Sequence, residues 1–226
     1  MEFVFDEKSA TSSFVEIIWQ GHSDRAGTFT SVATSNWEMV FTTFNGRTSI
    51  TARGPETKAS TADYPADADF FGITFKLGTF MPHLPIKTLC DRQDASLSEL
   101  SGNSFWLYGS TWEIPTFDNA DVFISQLIRQ DILVYDPIVA AAIQGDTPDL
   151  SIRTLQYRFL QATGLTHKTI QQIDRAHHAV LLLEQGVPVL ETALELGYFD
   201  QAHLTHSLKR FIGQTPAQVA QRRVVE

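Results

Sequence analysis

The chain has 226 residues, 43% of them apolar, a single cysteine and a formal net charge of −9. That length and composition allow one large domain or two ordinary ones with a packed core, and the lone Cys90 excludes an internal disulfide and reads as a small buried hydrophobe in a reducing compartment. The start "MEFVFDEKSA" lacks the basic region and long apolar core of a secretory signal, and no run of about 20 apolar residues exists to span a membrane, so a soluble cytoplasmic protein is expected.

Between residues 13 and 114, "SFVEIIWQ", "GTFTSVAT", "WEMVFTTF", "RTSITARG" and "DFFGITFKLG" are rich in Phe, Ile, Val and Thr and are separated by Gly, Asn, Asp and Pro. Closely spaced short strands of this kind predict a barrel or sandwich. "SFWLYGSTWEIP" adds a strand or hairpin, and "HLPIKTLCDRQDASLSEL" is irregular with room for a short helix. The aromatics Trp19, Trp37, Phe44, Phe71, Phe75, Phe105, Trp106 and Trp112 are core candidates that also offer walls for a small-molecule pocket.

After Pro115 the period becomes helical. Phe117, Val122, Phe123, Leu127 and Ile128 share one face, with Asp118 as N-cap. "DPIVAAAIQG" offers a short helix opened by Pro137 and closed by Gly145, and "DTPDL" is a turn. Everything beyond is helical, in the order "SIRTLQYRFLQATG", "HKTIQQIDRAHHAVLLLEQG", "PVLETALELG", "DQAHLTHSLKRF" and "TPAQVAQRR". The fold class is therefore α+β: a β-rich domain over 1–114, a helical connector over 115–135 and an all-α domain over 136–226.

The charge divides along the same line. Residues 1–149 carry 9 Lys+Arg against 20 Asp+Glu, a net of −11, and residues 150–226 carry 8 against 6, a net of +2. Only the C-terminal third can approach a polyanion without repulsion.

Two short helices near the C-terminus have the form that such an approach needs. Val189, Ala193 and Leu196 make one apolar stripe, Gly197 ends that helix in a left-handed turn, and Asp200 caps the next. There Leu204, Leu208 and Phe211 are the buried stripe, and Ala202, Thr205, His206 and Lys209 point the opposite way. A helix–turn–helix offers such a face to the major groove.

The string "ALELGYFDQAHLTHSLKRFIGQTPAQ" resembles the second helix–turn–helix of AraC/XylS-type transcription regulators, with the Gly-aromatic-aromatic, Asp-Gln, Leu-Lys-Arg-Phe and Gly-Gln-Thr-Pro at the family's spacing. "LSIRTLQYRFLQATGLTHKTI" is similar to the family's first recognition helix, in which Leu155 and Phe159 face inward, and "RAHHAVLLLEQG" to the end of the linking helix. The resemblance implies contact with double-stranded DNA: base-edge roles for Arg153, Gln156, Tyr157, Gln201, Ala202, Thr205 and His206, and phosphate roles for Arg158, Lys209 and Arg210. A linking helix of about 25 Å would hold two recognition helices one DNA turn apart. More loosely, "DADFFGITFKLGTFMPHLPIKTLCD" resembles a β-rich domain of unassigned function that precedes such units, which implies a sensory or dimerising role: a small-molecule effector of unknown identity, or a homodimer.

The sequence departs from that pattern in two places. Tyr157 and His206 stand where the family commonly has an arginine, and each forgoes the bidentate guanine contact; an imidazole also makes binding pH-sensitive. In the second unit Gly197 precedes Leu204 by 7 positions, whereas Gly145 precedes Leu155 by 10. The first turn is then enlarged or its supporting helix is missing. The alternative function is accordingly a small-molecule-binding or protein-interaction module with a degenerate DNA-binding domain. No metal, cofactor or catalytic residue is expected: His203 and His206 lack a third ligand, His177 and His178 face apart, the N-terminal part has only His22 and His83, and no nucleophile or phosphate-loop motif occurs.

Overall fold

The computed structural model describes residues 3–10, 12–92, 95–97, 103–146 and 149–221. Parts of the sequence expectations fall outside these described residues: the end of the irregular segment at 98–100, Thr147 and Pro148 of the turn, and Arg222 and Arg223 of the last helix. The described residues divide into two compact units, one within 1–27, 36–55 and 63–166, the other within 28–35, 56–62 and 167–226.

The first unit is built on strands β1 (Phe3–Lys8), β2 (Val15–Ser23), β4 (Glu38–Phe44), β5 (Arg47–Arg53), β7 (Ala68–Phe75) and β9 (Ala95–Ser96). They form an antiparallel sheet in the order β1-β2-β7-β4-β5-β9. Asn45 and Gly46 both take left-handed φ, 51° and 72°, between Phe44 and Arg47. A two-residue turn of that kind matches the right-handed twist of the flanking strands and fixes the β4–β5 register.

The sheet is open, with β1 and β9 at its edges, so of the expected barrel or sandwich the closed barrel does not form. Its inner face is covered instead by a hairpin, β10 (Ser104–Leu107) and β11 (Ser110–Glu113), and by helix α1 (Ala120–Arg129). Phe41, Phe71, Phe105, Trp112, Phe123, Ile124 and Leu127 belong to one buried cluster. Thus the helix expected as a connector is part of the sheet's own core. Its register also differs from the sequence expectation: Asn119 rather than Asp118 occupies the cap position, and Ile124 is buried where Val122 is 60% exposed. Of the eight singled-out aromatics, Trp37, Phe71, Phe75, Phe105 and Trp112 are core, and Phe44 and Trp106 are exposed.

Two further strands, β8 (Thr79–Phe80) and β12 (Val134–Tyr135), pair beside the sheet and lead into helix α2 (Pro137–Ile143). Helix α3 (Ile152–Thr163) packs against α2 and against the 3-10 turn at Ile86–Thr88. Cys90, beside that turn, is half-buried with its Sγ 3.7 Å from the Gly164 carbonyl, and burial pushes its thiol up to about 11. It is an inert thiol at neutral pH.

The second unit contains α4 (His167–Glu184), α5 (Val189–Glu195), α6 (Gln201–Phe211) and α7 (Pro216–Gln221), with α5, α6 and α7 packed on α4. Ile170, Ile173, Ala176, Ala179 and Leu183 give α4 the inward stripe that this packing requires. Most of a two-stranded ribbon, β3 (Gly27–Ser31) with β6 (Ser60–Tyr64), also belongs here, although its strands lie early in the sequence.

Candidate nucleic-acid interface

Helix α6 is fixed at both ends and along one side. At its start the Asp200 carboxylate accepts from the His203 amide at 2.7 Å, which satisfies one of the helix's orphan donors. Leu204 and Leu208 are fully buried and Phe211 is 3% exposed, as the stripe predicts. Ala193 of α5 is buried at 1%, and Gly197 has φ +68°, so the turn has the left-handed form expected of it.

Other supports of this turn had no periodic signal of their own. The Tyr198 ring is buried, its hydroxyl lies 3.1 Å from the Ser207 hydroxyl, and the Arg175 guanidinium sits 4.4 Å from the ring centroid. At the far end of α6, the Ala59 amide donates to the Arg210 carbonyl and the Ala33 amide to the Phe211 carbonyl, both at 2.7 Å. These two donors cap carbonyls that have no partner within the helix. His177 of α4 is half-buried with Nε2 2.7 Å from the Ala33 carbonyl, while its neighbour His178 is exposed, so the two histidines do face apart.

With its inner side so held, α6 exposes Gln201, Ala202, His206, Lys209 and Arg210. Thr205 is half-buried, and its hydroxyl donates to the Gln201 carbonyl at 2.8 Å, which leaves its methyl for contact. The face thus combines an amide, two small apolar surfaces and an imidazole near the helix start with two cations near its end. Base edges are read by the first kind of group and phosphates are met by the second.

The first pair, in the other unit, is built differently. Helix α2 is present and packs on α3, so the supporting helix is not missing; the turn is enlarged, running 144–151 against 196–200 in the second pair. The Ser151 hydroxyl caps α3 by accepting from the Thr154 amide at 3.1 Å. Phe159 is buried and Leu155 half-buried, with Arg153, Gln156 and Tyr157 exposed on the other side. Ile152, at the first turn, is 77% exposed, an apolar residue on the outer side that the periodicity of the helix does not mark. Arg158 differs from the rest: its Nη1 is 2.7 Å from Asp136 Oδ2, and its side chain bridges α3 to the α2 cap. Among the described residues no three His, Cys, Asp or Glu gather as a metal set, and no helix is long and apolar enough to cross a membrane.

Comparison with known proteins bears on this region. A family model described as a helix–turn–helix domain matches residues 148–222. The HTH-type transcriptional regulator VirS of Mycobacterium tuberculosis is 40% identical over 75 residues, which are 33% of this chain and 22% of that protein; two strains give the same match. The chain therefore spans well under two thirds of the length of the curated relatives it matches. Two solved structures of ToxT from Vibrio cholerae align over nearly the whole chain. One has TM-score 0.41, 11% identity and coverage of 96% of this chain and 98% of that one; the other, from strain O395, has 0.39, 10%, 98% and 99%. So loose a superposition assigns no role to any residue.

Proposed function

We propose that this chain, whose residues 148–222 match a helix–turn–helix domain and resemble the AraC/XylS type, is a sequence-specific DNA-binding transcription regulator. One observation carries the proposal: α6 presents Gln201, Ala202, His206, Lys209 and Arg210 outward from a fully buried Leu204/Leu208 seam. An element locked in this way enters a groove with its side chains already placed, and less binding energy is lost to ordering them. Gln201, Ala202, Thr205 and His206 read base edges in the major groove, and Lys209 and Arg210 meet the flanking phosphates. Helix α3 reads with Arg153, Gln156 and Tyr157. The sheet unit biases this binding through a small-molecule effector or through self-association.

The test is a salt-titrated binding assay on the DNA upstream of the chain's own gene. Preference for one sequence, with log K falling by about 0.9 per phosphate neutralised for each unit rise in log salt, is the expected result. Equal affinity for all duplexes, or a flat salt response, would favour a small-molecule-binding or interaction module whose first recognition helix has lost its DNA role. The engagement of Arg158 with Asp136 is the observation behind that second possibility.

A further inference from the structure

The inner face of the six-stranded sheet changes character from one end to the other. Residues paired across antiparallel strands share a face, so its rows can be followed from the register. One row, Lys8–Ile18–Ile73–Met39–Ala52, is apolar from β2 to β5. The next, Asp6–Gln20–Phe71–Phe41–Ile50, is polar only toward the β1 edge. A third, His22–Asp69–Thr43–Thr48, is polar from β2 to β5. Positions facing a packed core are ordinarily apolar, and a row that breaks the pattern marks a site or a compensated strain.

Here the row opens onto a cleft of about 470 Å³, walled opposite the sheet by Asn103 and Ile114–Phe117, with Phe41 and Phe71 as its apolar floor. Its polar groups are partly satisfied in place. His22 Nδ1 lies 2.8 Å from Asp69 Oδ1, the Thr43 and Thr48 hydroxyls are 2.8 Å apart, and the Gln20 amide donates to Asp6 Oδ2 at 3.3 Å. Each carboxylate thus gives one oxygen to a neighbour and keeps a second for a guest. No lysine or arginine is among the described residues that line the cleft. His22 is itself flanked by a second carboxylate, Asp24 at 3.6 Å, so even a charged imidazole leaves the mouth acidic. One wall already accepts a cation: the Lys8 ammonium lies 4.6 Å from the centroid of the Phe117 ring.

We propose that this cleft binds a small organic cation with a flat apolar body, the body lying on Phe41 and Phe71 and the cationic group reaching Asp69 or Asp6. The proposal rests on the regulator function above and names the chemical class of its effector. Size agrees, because ligand clefts run from about 300 to 1,000 Å³. Charge disfavours carboxylate and phosphate ligands, which would meet two carboxylates with no lysine or arginine on the lining, while the Lys8 ammonium at the Phe117 wall lies 3.9 Å from Asp121 Oδ2. Rings favour an aromatic body, since edge and stacked contacts with Phe are worth more than area alone.

Calorimetric or NMR titration of the intact chain with 2-phenylethylammonium, 2-phenylethanol and phenylacetate tests it. The expected result is saturable binding of the amine with a dissociation constant of about a millimolar, the range for so few atoms. The alcohol should bind about tenfold more weakly and the carboxylate not at all. Asp69→Asn should weaken the amine about tenfold without affecting the alcohol, and Asp63→Asn, an exposed acid outside the cleft, should change nothing. Asp69 is on the surface, so its variant keeps the fold; Asp6→Asn is the second variant and should also weaken the amine. No binding by about 10 mM, equal affinity for amine and alcohol, or amine binding indifferent to both cleft variants overturns the proposal. DNA affinity measured without any amine reports on the regulator function separately, so either can fail alone.

Discussion

The Arg158 guanidinium and the Asp136 carboxylate meet at 2.7 Å, and the other oxygen of Asp136 accepts the Ile138 and Val139 amides at the start of α2. One carboxylate therefore caps one helix and anchors the next. Removing the arginine leaves a largely buried charge with only the two amides. Arg158→Ala is expected to lower stability by about 1–3 kcal/mol, and a double-mutant cycle with Asp136→Asn should return most of that as coupling. Urea unfolding measures it. If Arg158 met phosphate instead, its loss would leave stability unchanged and reduce the salt slope of DNA binding.

Lys209 supplies the contrast, because it is exposed near the end of α6 and no ion pair in the structure involves it among the described residues. Lys209→Ala should weaken binding to all duplexes alike and reduce the magnitude of the salt slope by about 0.9. Gln201→Ala should act on sequence preference, relaxing it at one base pair by about 1–3 kcal/mol while the slope stays constant. Competition titrations at several salt concentrations separate the two effects. Equal loss of slope in both variants would contradict the assignment of roles along the helix.

Glu38 of β4 makes stability depend on pH in an unusual direction. Its carboxylate accepts from Trp19 Nε1 and Thr74 Oγ1, both at 3.3 Å, and lies 3.9 Å from Arg53 Nη1. Burial raises its pKa, and Arg53 and the two donors offset this only in part. The folded chain then holds this proton more tightly than the unfolded chain, so the stability it contributes is full below the ordinary glutamate range and declines as pH rises through the folded value. Glu38→Gln abolishes that decline. The unfolding free energy of the variant minus that of the parent should rise from about pH 4 upward and level off above the folded pKa. A difference that falls with rising pH would mean that Arg53, not burial, dominates.

The second helix–turn–helix was legible because all that defines it lies within about 30 residues: a 3.6-residue stripe, a Gly in the turn and an Asp cap. Local signals also gave β2, β4, β5 and β7. What was hidden depends on partners distant in the chain. Closure of a sheet depends on whether its edge strands pair, and alternation within a strand says nothing of that. Asp136 lies 22 positions before Arg158, so the tie that this cation makes to the α2 cap has no local signal in the sequence. Strand β6, "STADY", lacks apolar alternation, and the place of its residues 60–62 in the helical unit follows from backbone pairing that no side-chain pattern records.

That nonlocal support yields a test at two glycines. Gly197 and Gly213 flank α6 with φ +68° and +78°. A Cβ on Gly197 would meet nothing within 4 Å, whereas one on Gly213 would lie 3.1 Å from Thr30 Cγ2 and 3.2 Å from Ala59 Cβ, on the two segments whose amides cap the Phe211 and Arg210 carbonyls. Both alanine variants carry the cost of left-handed backbone, about 1–2 kcal/mol. Only Gly213→Ala also presses the capping segments away from the helix end, so it should be the more destabilising by thermal unfolding. It should also speed amide hydrogen exchange at Ala33 and Ala59, which Gly197→Ala leaves protected. Equal melting temperatures and unchanged exchange in the two variants would show that α6 keeps its place without the early segments of the chain.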